Sequence, residues 1–256
     1  MKQTMISNKT SSKTMNKTSN KSKFIPRNTN QVKYTEFLND KTRDIVIASG
    51  PAGSAKTYIG TLVGVEHLLD KKVDRIVITR PAITVDDENH GFLPGTLNNK
   101  MKPWMMPIYD VLQLYFNMTQ IEKMMADNLI EVSPLAYMRG RTFDNAYILL
   151  DEAQNCTTNQ MLMALTRIGQ NSKLVITGDP MQHDRNAIGQ TVNGLSDLIE
   201  KIERSQDDRI VHVGFDHTDV ERHPVIPHVL AMYQWNSETV KQWSEWIMEE
   251  NQNKHV

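Results

Sequence analysis

Eight residues constrain this chain more than any other stretch: Gly50-Pro51-Ala52-Gly53-Ser54-Ala55-Lys56-Thr57. An apolar run, Ile45-Val46-Ile47-Ala48, precedes them, and a helical pattern begins near Thr57. Strand, glycine-rich turn and helix in that order form the setting of a phosphate-binding loop. Successive backbone N–H groups can face phosphate oxygens there, and the helix N-terminus adds partial positive charge. In this reading Lys56 reaches the β- and γ-phosphates of a nucleotide, and the Thr57 hydroxyl ligates Mg²⁺. Ala55 stands where such loops usually carry glycine. Its methyl is expected to crowd the phosphates or to restrict the backbone. The plainer alternative is a strand-to-helix turn that is merely rich in small residues.

The rest of the chain alternates strands with helices. Asn30 to Leu38 has Tyr34, Phe37 and Leu38 at helical spacing, and Tyr58 to Leu69 repeats Ile59, Leu62, Val63, Val65 and Leu68. Asp74 to Thr79 then reads as a strand, so strand, helix and strand follow within about 35 residues, the right-handed parallel unit. Arg80 to Pro107 is broken by Pro81, Gly91, Pro94, Gly95, Pro103 and Pro107 and is expected as one long ordered loop. Ile108 to Ala126 is expected as a single helix, Ile130 to Val132 as a short strand, and Pro134 to Asn145 as a loop with exposed Arg139 and Arg141. Ala146 to Leu150 is the most buried strand by composition. A helix follows from Thr157 through Ile168 to a stop at Gly169, then a strand from Lys173 to Thr177. Val192 to Ile202 is helical, Arg209 to Val213 a strand, and Val225 to Tyr233, with a following segment to Met248, helical. Such alternation predicts an α/β fold, a mostly parallel sheet covered by helices on both faces.

Charge is unevenly placed. Residues 1–23 hold six lysines and no acid, so the rest of a chain whose net charge is −1 carries −7. That excludes a uniformly basic nucleic-acid-binding body. The Lys/Ser/Asn-rich stretch 1–23 cannot bury enough apolar surface to offset ordering entropy and is expected to be a disordered tail. Residues 24–256 are expected to form one domain with a helical C-terminal segment. The single cysteine, Cys156, permits no intramolecular disulfide and no paired-cysteine zinc site. No run approaches the roughly 18 apolar residues of a membrane span. The N-terminus lacks a signal-like apolar core. A cytoplasmic location without membrane contact is therefore expected.

Three further stretches carry chemistry. Ile148-Leu149-Leu150-Asp151-Glu152-Ala153-Gln154 delivers two acids at the end of an apolar strand, where α/β sheets place ligands. Asp151 is expected to hold Mg²⁺ through water, and Glu152 to polarise an attacking water as general base. The plainer reading has the pair opening the next helix, where acids suit the dipole. Thr177-Gly178-Asp179-Pro180-Met181-Gln182 also closes a strand, and the Gln182 amide could sense a γ-phosphate or orient water; the alternative is an ordinary Asp-Pro turn. In His217 to Pro224, Arg222 is a candidate stabiliser of charge in phosphoryl transfer or else a surface arginine near a helix start.

Taken together the motifs resemble PhoH-like proteins. Gly50 to Thr57, Thr79-Arg80-Pro81-Ala82, Gly91 to Gly95, Pro134 to Thr142, Asp151 to Asn155 and Arg222-His223-Pro224 occur in that family's order, from roughly Asn28 to Tyr233. Pro134 to Thr142 is the most specific of them. The resemblance implies a cytoplasmic ATPase with a RecA-like P-loop NTPase core similar to superfamily 1 helicases, linked to RNA metabolism and common also in bacteriophages. ATP and Mg²⁺ follow as cofactors, and Asn30-Gln31 falls where those helicases read adenine. The tail does not match the family, and Ala55 departs from its usual glycine.

The expected function is thus ATP hydrolysis coupled to single-stranded RNA or DNA, with Arg80, Arg139 and Arg141 as strand contacts and Trp104 and Tyr137 as stacking candidates. A nucleotide-responsive binding protein is the rival class. A small-molecule kinase fits less well, because the tandem Asp151-Glu152 suits attack by water. One phosphate loop and few residues after the final strand leave no second RecA-like domain to supply a cationic finger. A homo-oligomeric ring, a hexamer by resemblance to RecA-like assemblies, is expected to supply it from a neighbour, with Arg222 first and Arg139 and Arg141 in reserve.

Overall fold

A computed structural model describes residues 24–81, 105–182, 193–205, 207–221 and 225. The expected tail at 1–23, nearly all of the expected loop at 82–104, and the helical segments after Val225 lie outside the described residues.

Helix α1 (Thr29–Asn39) leads to β1 (Ile45–Ser49), α2 (Lys56–Leu69) and β2 (Arg75–Arg80). Helices α3 (Met106–Leu112) and α4 (Met118–Ala126) precede β3 (Ile130–Pro134). Then come β4 (Ala146–Leu150), α5 (Thr158–Leu165), β5 (Lys173–Gly178), α6 (Gly194–Glu203) and β6 (Ile210–Gly214). The strands form one sheet in the order β3-β2-β4-β5-β1-β6, and every described pairing is parallel.

The two faces of the sheet follow the strand's two-residue period. Ile45 and Ile47 of β1, with Ile148 and Leu150 of β4, pack under α5 and α6. Val46 and Ala48, with Tyr147 and Leu149, pack under α1 and α2. Toward the β3 edge, Ile76, Ile78 and Ile130 continue that second layer against α3 and α4. Both faces are covered, which is why the strands read as continuous apolar runs rather than alternating ones. Lys173 fastens α1 to β5. Its Nζ donates to the carbonyls of Phe37 (3.2 Å) in the last turn of α1 and of Asp40 (2.8 Å) and Arg43 in the turn that follows.

Three local expectations are corrected. The single helix over Ile108–Ala126 is two. Asn117 starts α4 with a capping box, its side chain accepting from Gln120 N and the Gln120 side chain accepting from Asn117 N, both at 2.9 Å. A cap of this kind contributes on the order of 1 kcal/mol, enough to choose where a helix starts. Helix α5 ends at Leu165 rather than running to Ile168. Ile168 instead pairs with Phe143, and Gly169 lies so close that a Cβ would meet the Phe143 carbonyl oxygen at 2.6 Å. The stretch after Pro134 is not a plain loop: Leu135–Met138 forms a 3-10 turn that buries Leu135 and Met138. Cys156 is buried, and burial pushes its thiol up to about 12, which keeps it an inert packing residue.

Candidate nucleotide site

Because the strands are parallel, their carboxyl ends share one rim of the sheet, the rim where α/β proteins bind ligands. Strand β5 lies between β1 and β4. The loop after β1 and the acids after β4 therefore meet across the end of β5.

The loop has the backbone that its glycines allow. Gly50 and Gly53 have φ of 139° and 95°. A Cβ on Gly50 would stand 2.2 Å from the Phe215 carbonyl oxygen, so no other residue fits there. Lys56 folds back over the loop. Its Nζ donates to the carbonyls of Gly50 and Pro51 at 2.7 Å each and to Ser54 Oγ at 3.0 Å. Ser54 is fully buried and donates to the Pro51 carbonyl.

Ala55 is left-handed, at φ 65° and ψ 16°, immediately before α2. Its methyl packs toward the α1–α2 cluster, and the residue borders the cleft. The unusual alanine thus costs the backbone, by about 1–2 kcal/mol for an L-residue in this region. Glycine loses more entropy on folding, which returns part of that. Ala55→Gly should therefore raise stability by about 0.5–1 kcal/mol, a rise of roughly 1–4 °C in thermal unfolding without nucleotide. A lower melting temperature would show that the methyl's packing outweighs the strain.

Asp151 is the centre of the site. It is 2% exposed. Its Oδ1 accepts from Thr57 Oγ1 at 2.7 Å and from Thr177 Oγ1 at 2.5 Å. Its Oδ2 accepts from Arg80 Nε at 3.0 Å and Nη2 at 2.5 Å. The buried Tyr34 hydroxyl is pushed well above the usual range by burial first and by the Asp151 charge second. Glu152, next in the chain, is left-handed at φ 55° and stands at the start of a short 3-10 turn, Ala153–Asn155, which its side chain does not cap. Gln154 Nε2 donates to Glu152 Oε2 at 2.6 Å, while Gln154 Oε1 accepts from Asp179 N at 3.1 Å. The buried Gln154 thus ties the ends of β4 and β5 together and aims Glu152.

These groups border a cleft of about 630 Å³, a size ordinary for a ligand site. Gln182 lines it with an exposed side chain. Its far wall is α3, through Pro107, Asp110 and Val111, which no sequence motif announces.

Behind the loop, α1 and the turn around His217–Asp219 form a strap. Asn30 Nδ2 donates to Asp219 Oδ2 at 2.8 Å. Gln31 is fully buried; its Oε1 accepts from Arg27 N at 2.9 Å and its Nε2 donates to Glu221 Oε1 at 2.9 Å. Arg27 pairs with Glu221 at 2.6 Å, and Glu221 N donates to the Gly53 carbonyl at 3.0 Å. Each end of the Gln31 amide thus holds one protein partner.

The donors suit Mg²⁺. Thr57 and Asp151 offer hard oxygens, and among the described residues no group of three His, Cys, Asp or Glu could hold a metal ion. Mg²⁺ is commonly held this way, by one or two protein oxygens with substrate phosphates completing the shell.

The candidate strand contacts divide. Arg80 is 13% exposed in its side chain and turned onto Asp151, so it is not the surface contact expected. Arg141 is also committed. It forms a bidentate pair with Glu131, which raises its pKa, and its guanidinium lies 4.5 Å from the Phe143 ring centroid. Arg139 is exposed and Tyr137 is 57% exposed, just beyond β3 on the same rim. Trp104 and Arg222 lie outside the described residues.

The parallel sheet with its loop after β1 and acids after β4 defines a RecA-like P-loop NTPase core. A family model described as "PhoH-like protein" matches residues 23–234, and the chain belongs to that family. It is 42% identical over 209 residues to the PhoH-like protein of Mycobacterium tuberculosis, covering 81% of this chain and 57% of that protein. It is 38% identical over 214 residues to Protein PhoH of Escherichia coli, covering 83% and 58%. The chain thus spans somewhat over half the length of these relatives. Among solved structures, the Sulfolobus solfataricus SWI2/SNF2 ATPase core in complex with dsDNA shares a distant likeness, with a TM-score of 0.40 at 13% identity over 75% of this chain and 46% of that one.

Proposed function

We propose that the protein is a Mg²⁺-dependent ATPase whose turnover is coupled to single-stranded nucleic acid, RNA first. The observation that carries the reading is the Thr57 Oγ1–Asp151 Oδ1 contact of 2.7 Å with Glu152 beside it. The hydroxyl from the first turn of α2 and the carboxylate just after β4 would share the metal, and Glu152, held by Gln154, would take a proton from water. Lys56 would turn from the loop carbonyls to the β- and γ-phosphates, and Gln182 would sense the terminal one. Tyr137 and Arg139 offer an exposed ring and cation on the same rim, the pairing that takes up a stacked, charged strand. We further propose a homo-oligomeric ring, six subunits by analogy with RecA-like assemblies, acting in the cytoplasm, with Arg222 as the finger.

Steady-state ATP hydrolysis with and without single-stranded RNA and DNA tests the coupling. The expected result is Mg²⁺-dependent hydrolysis stimulated about tenfold or more by RNA, within the range that one added electrostatic contact to the reacting phosphoryl group supplies. Tight ATP binding without hydrolysis, polymer or not, would replace the ATPase with a nucleotide-responsive binding protein.

A further inference from the structure

We infer that Arg80 is a stand-in cation, which neutralises Asp151 while the site is without metal and so raises the Mg²⁺ concentration needed to load a nucleotide. This rests on the proposal that the site takes Mg²⁺ with a nucleotide. Asp151 is 2% exposed, and a carboxylate that deep is strongly disfavoured as an anion without an opposite charge against it. Arg80 provides that charge through two bonds to Oδ2, of 3.0 Å and 2.5 Å. Lys56, the cation of the loop, directs its ammonium at the Gly50 and Pro51 carbonyls and Ser54.

The two oxygens of Asp151 have different duties. Oδ1 faces Thr57, the metal side. Oδ2 faces Arg80, across the same carboxylate. Arg80 therefore does not block the metal side, but its charge remains against the group that must attract the ion. A cation on each side of one buried carboxylate repels the other, and screening by salt is weak there. Anything that favours the metal-free state lowers apparent metal affinity by the same factor.

A purely positioning role would have the opposite sign, because removing Arg80 would then loosen Asp151 and weaken metal uptake. The Thr57 and Thr177 hydroxyls, with the Asp151 N to Thr79 carbonyl bond of 3.0 Å, already fix the carboxylate. Removing Arg80 takes away charge and leaves orientation.

The test is ADP binding to the full chain by calorimetric titration across a MgCl2 series, for the parent, Arg80→Gln, Arg80→Met and Arg80→Lys. Arg80→Gln should lower the Mg²⁺ concentration at half-maximal ADP affinity by about 3–10-fold. It should also lower the unfolding temperature in EDTA, with the deficit shrinking once MgCl2 and ADP are added. If Arg80→Gln does not fold, Arg80→Met decides as a second neutral variant with the same expected fall, while Arg80→Lys, which keeps the charge, should stay within about twofold of the parent. An unchanged or raised midpoint in the folded neutral variant overturns the inference and makes Arg80 a positioning or packing residue. A parent that binds ADP with no Mg²⁺ dependence would overturn the metal reading itself, and the stand-in role with it.

Discussion

Glu152→Gln should bind ATP within about threefold of the parent and lose turnover by about 10²–10⁴, the range of a lost general base. The amide keeps the shape and still offers an oxygen to Gln154 Nε2, which donates at 2.6 Å, so the left-handed turn at residue 152 should persist. Lys56→Ala should instead lose binding. The ammonium makes three hydrogen bonds within the loop and is the charge placed to meet the phosphates, so its loss should weaken ATP by about 100-fold or more. Nucleotide titration together with single-turnover hydrolysis separates the two. Equal loss of binding in both variants would remove Glu152 from the base role and leave it a structural residue of the turn.

These expectations rest on residues that short sequence windows reveal, and that is where the sequence was legible. The loop, its strand and its helix are contiguous, so one window of about 25 residues carries the signal. Asp151 and Glu152 end a run whose buried strand is plain from Ala146 to Leu150. What stayed hidden depends on strand order. Nothing in the chain announces that β5 inserts between β1 and β4, and that insertion brings the Thr177 hydroxyl onto Asp151. Arg80 and Asp151 are 71 residues apart and meet only because β2 and β4 are neighbours in register, Thr79 opposite Leu150. From the sequence alone a lone arginine at a strand end is a candidate nucleic-acid contact, because its partner is not visible there.

Arg141 shows the same limit at shorter range. Its partner Glu131 is ten residues away, on a strand that runs two residues beyond its expected end, and the stacking ring is Phe143. Gln154, by contrast, stands two residues after the acid that it holds, close enough to be legible from the motif alone. The misplaced helix over Ile108–Ala126 has a similar cause. Asn117 and Gln120 form a capping box inside an otherwise periodic stretch, and apolar spacing alone does not reveal the break.

Mixing two inactive variants should restore activity if neighbouring subunits complete each other's sites. Glu152→Gln removes the base and Arg222→Ala removes the proposed finger, and each alone should lower turnover, the second by as much as 10³–10⁵ if it acts as such fingers do. In a head-to-tail ring each interface joins one subunit's Glu152 to the next subunit's Arg222. In an equimolar, randomly assembled mixture, about one interface in four would carry both intact groups, so turnover should recover to about a quarter of the parent's, far above either variant. The structure also gives a reason for the competing outcome. Glu221 N donates to the Gly53 carbonyl at 3.0 Å, which sets the residue before Arg222 directly on its own phosphate loop. A finger acting within its own subunit is the alternative. That arrangement predicts no recovery on mixing, because neither variant then holds a complete site. Light scattering with each variant labelled separately must establish co-assembly first. A co-assembled mixture that stays inactive would place the finger in its own subunit, and a monomer with full turnover would dispense with the ring.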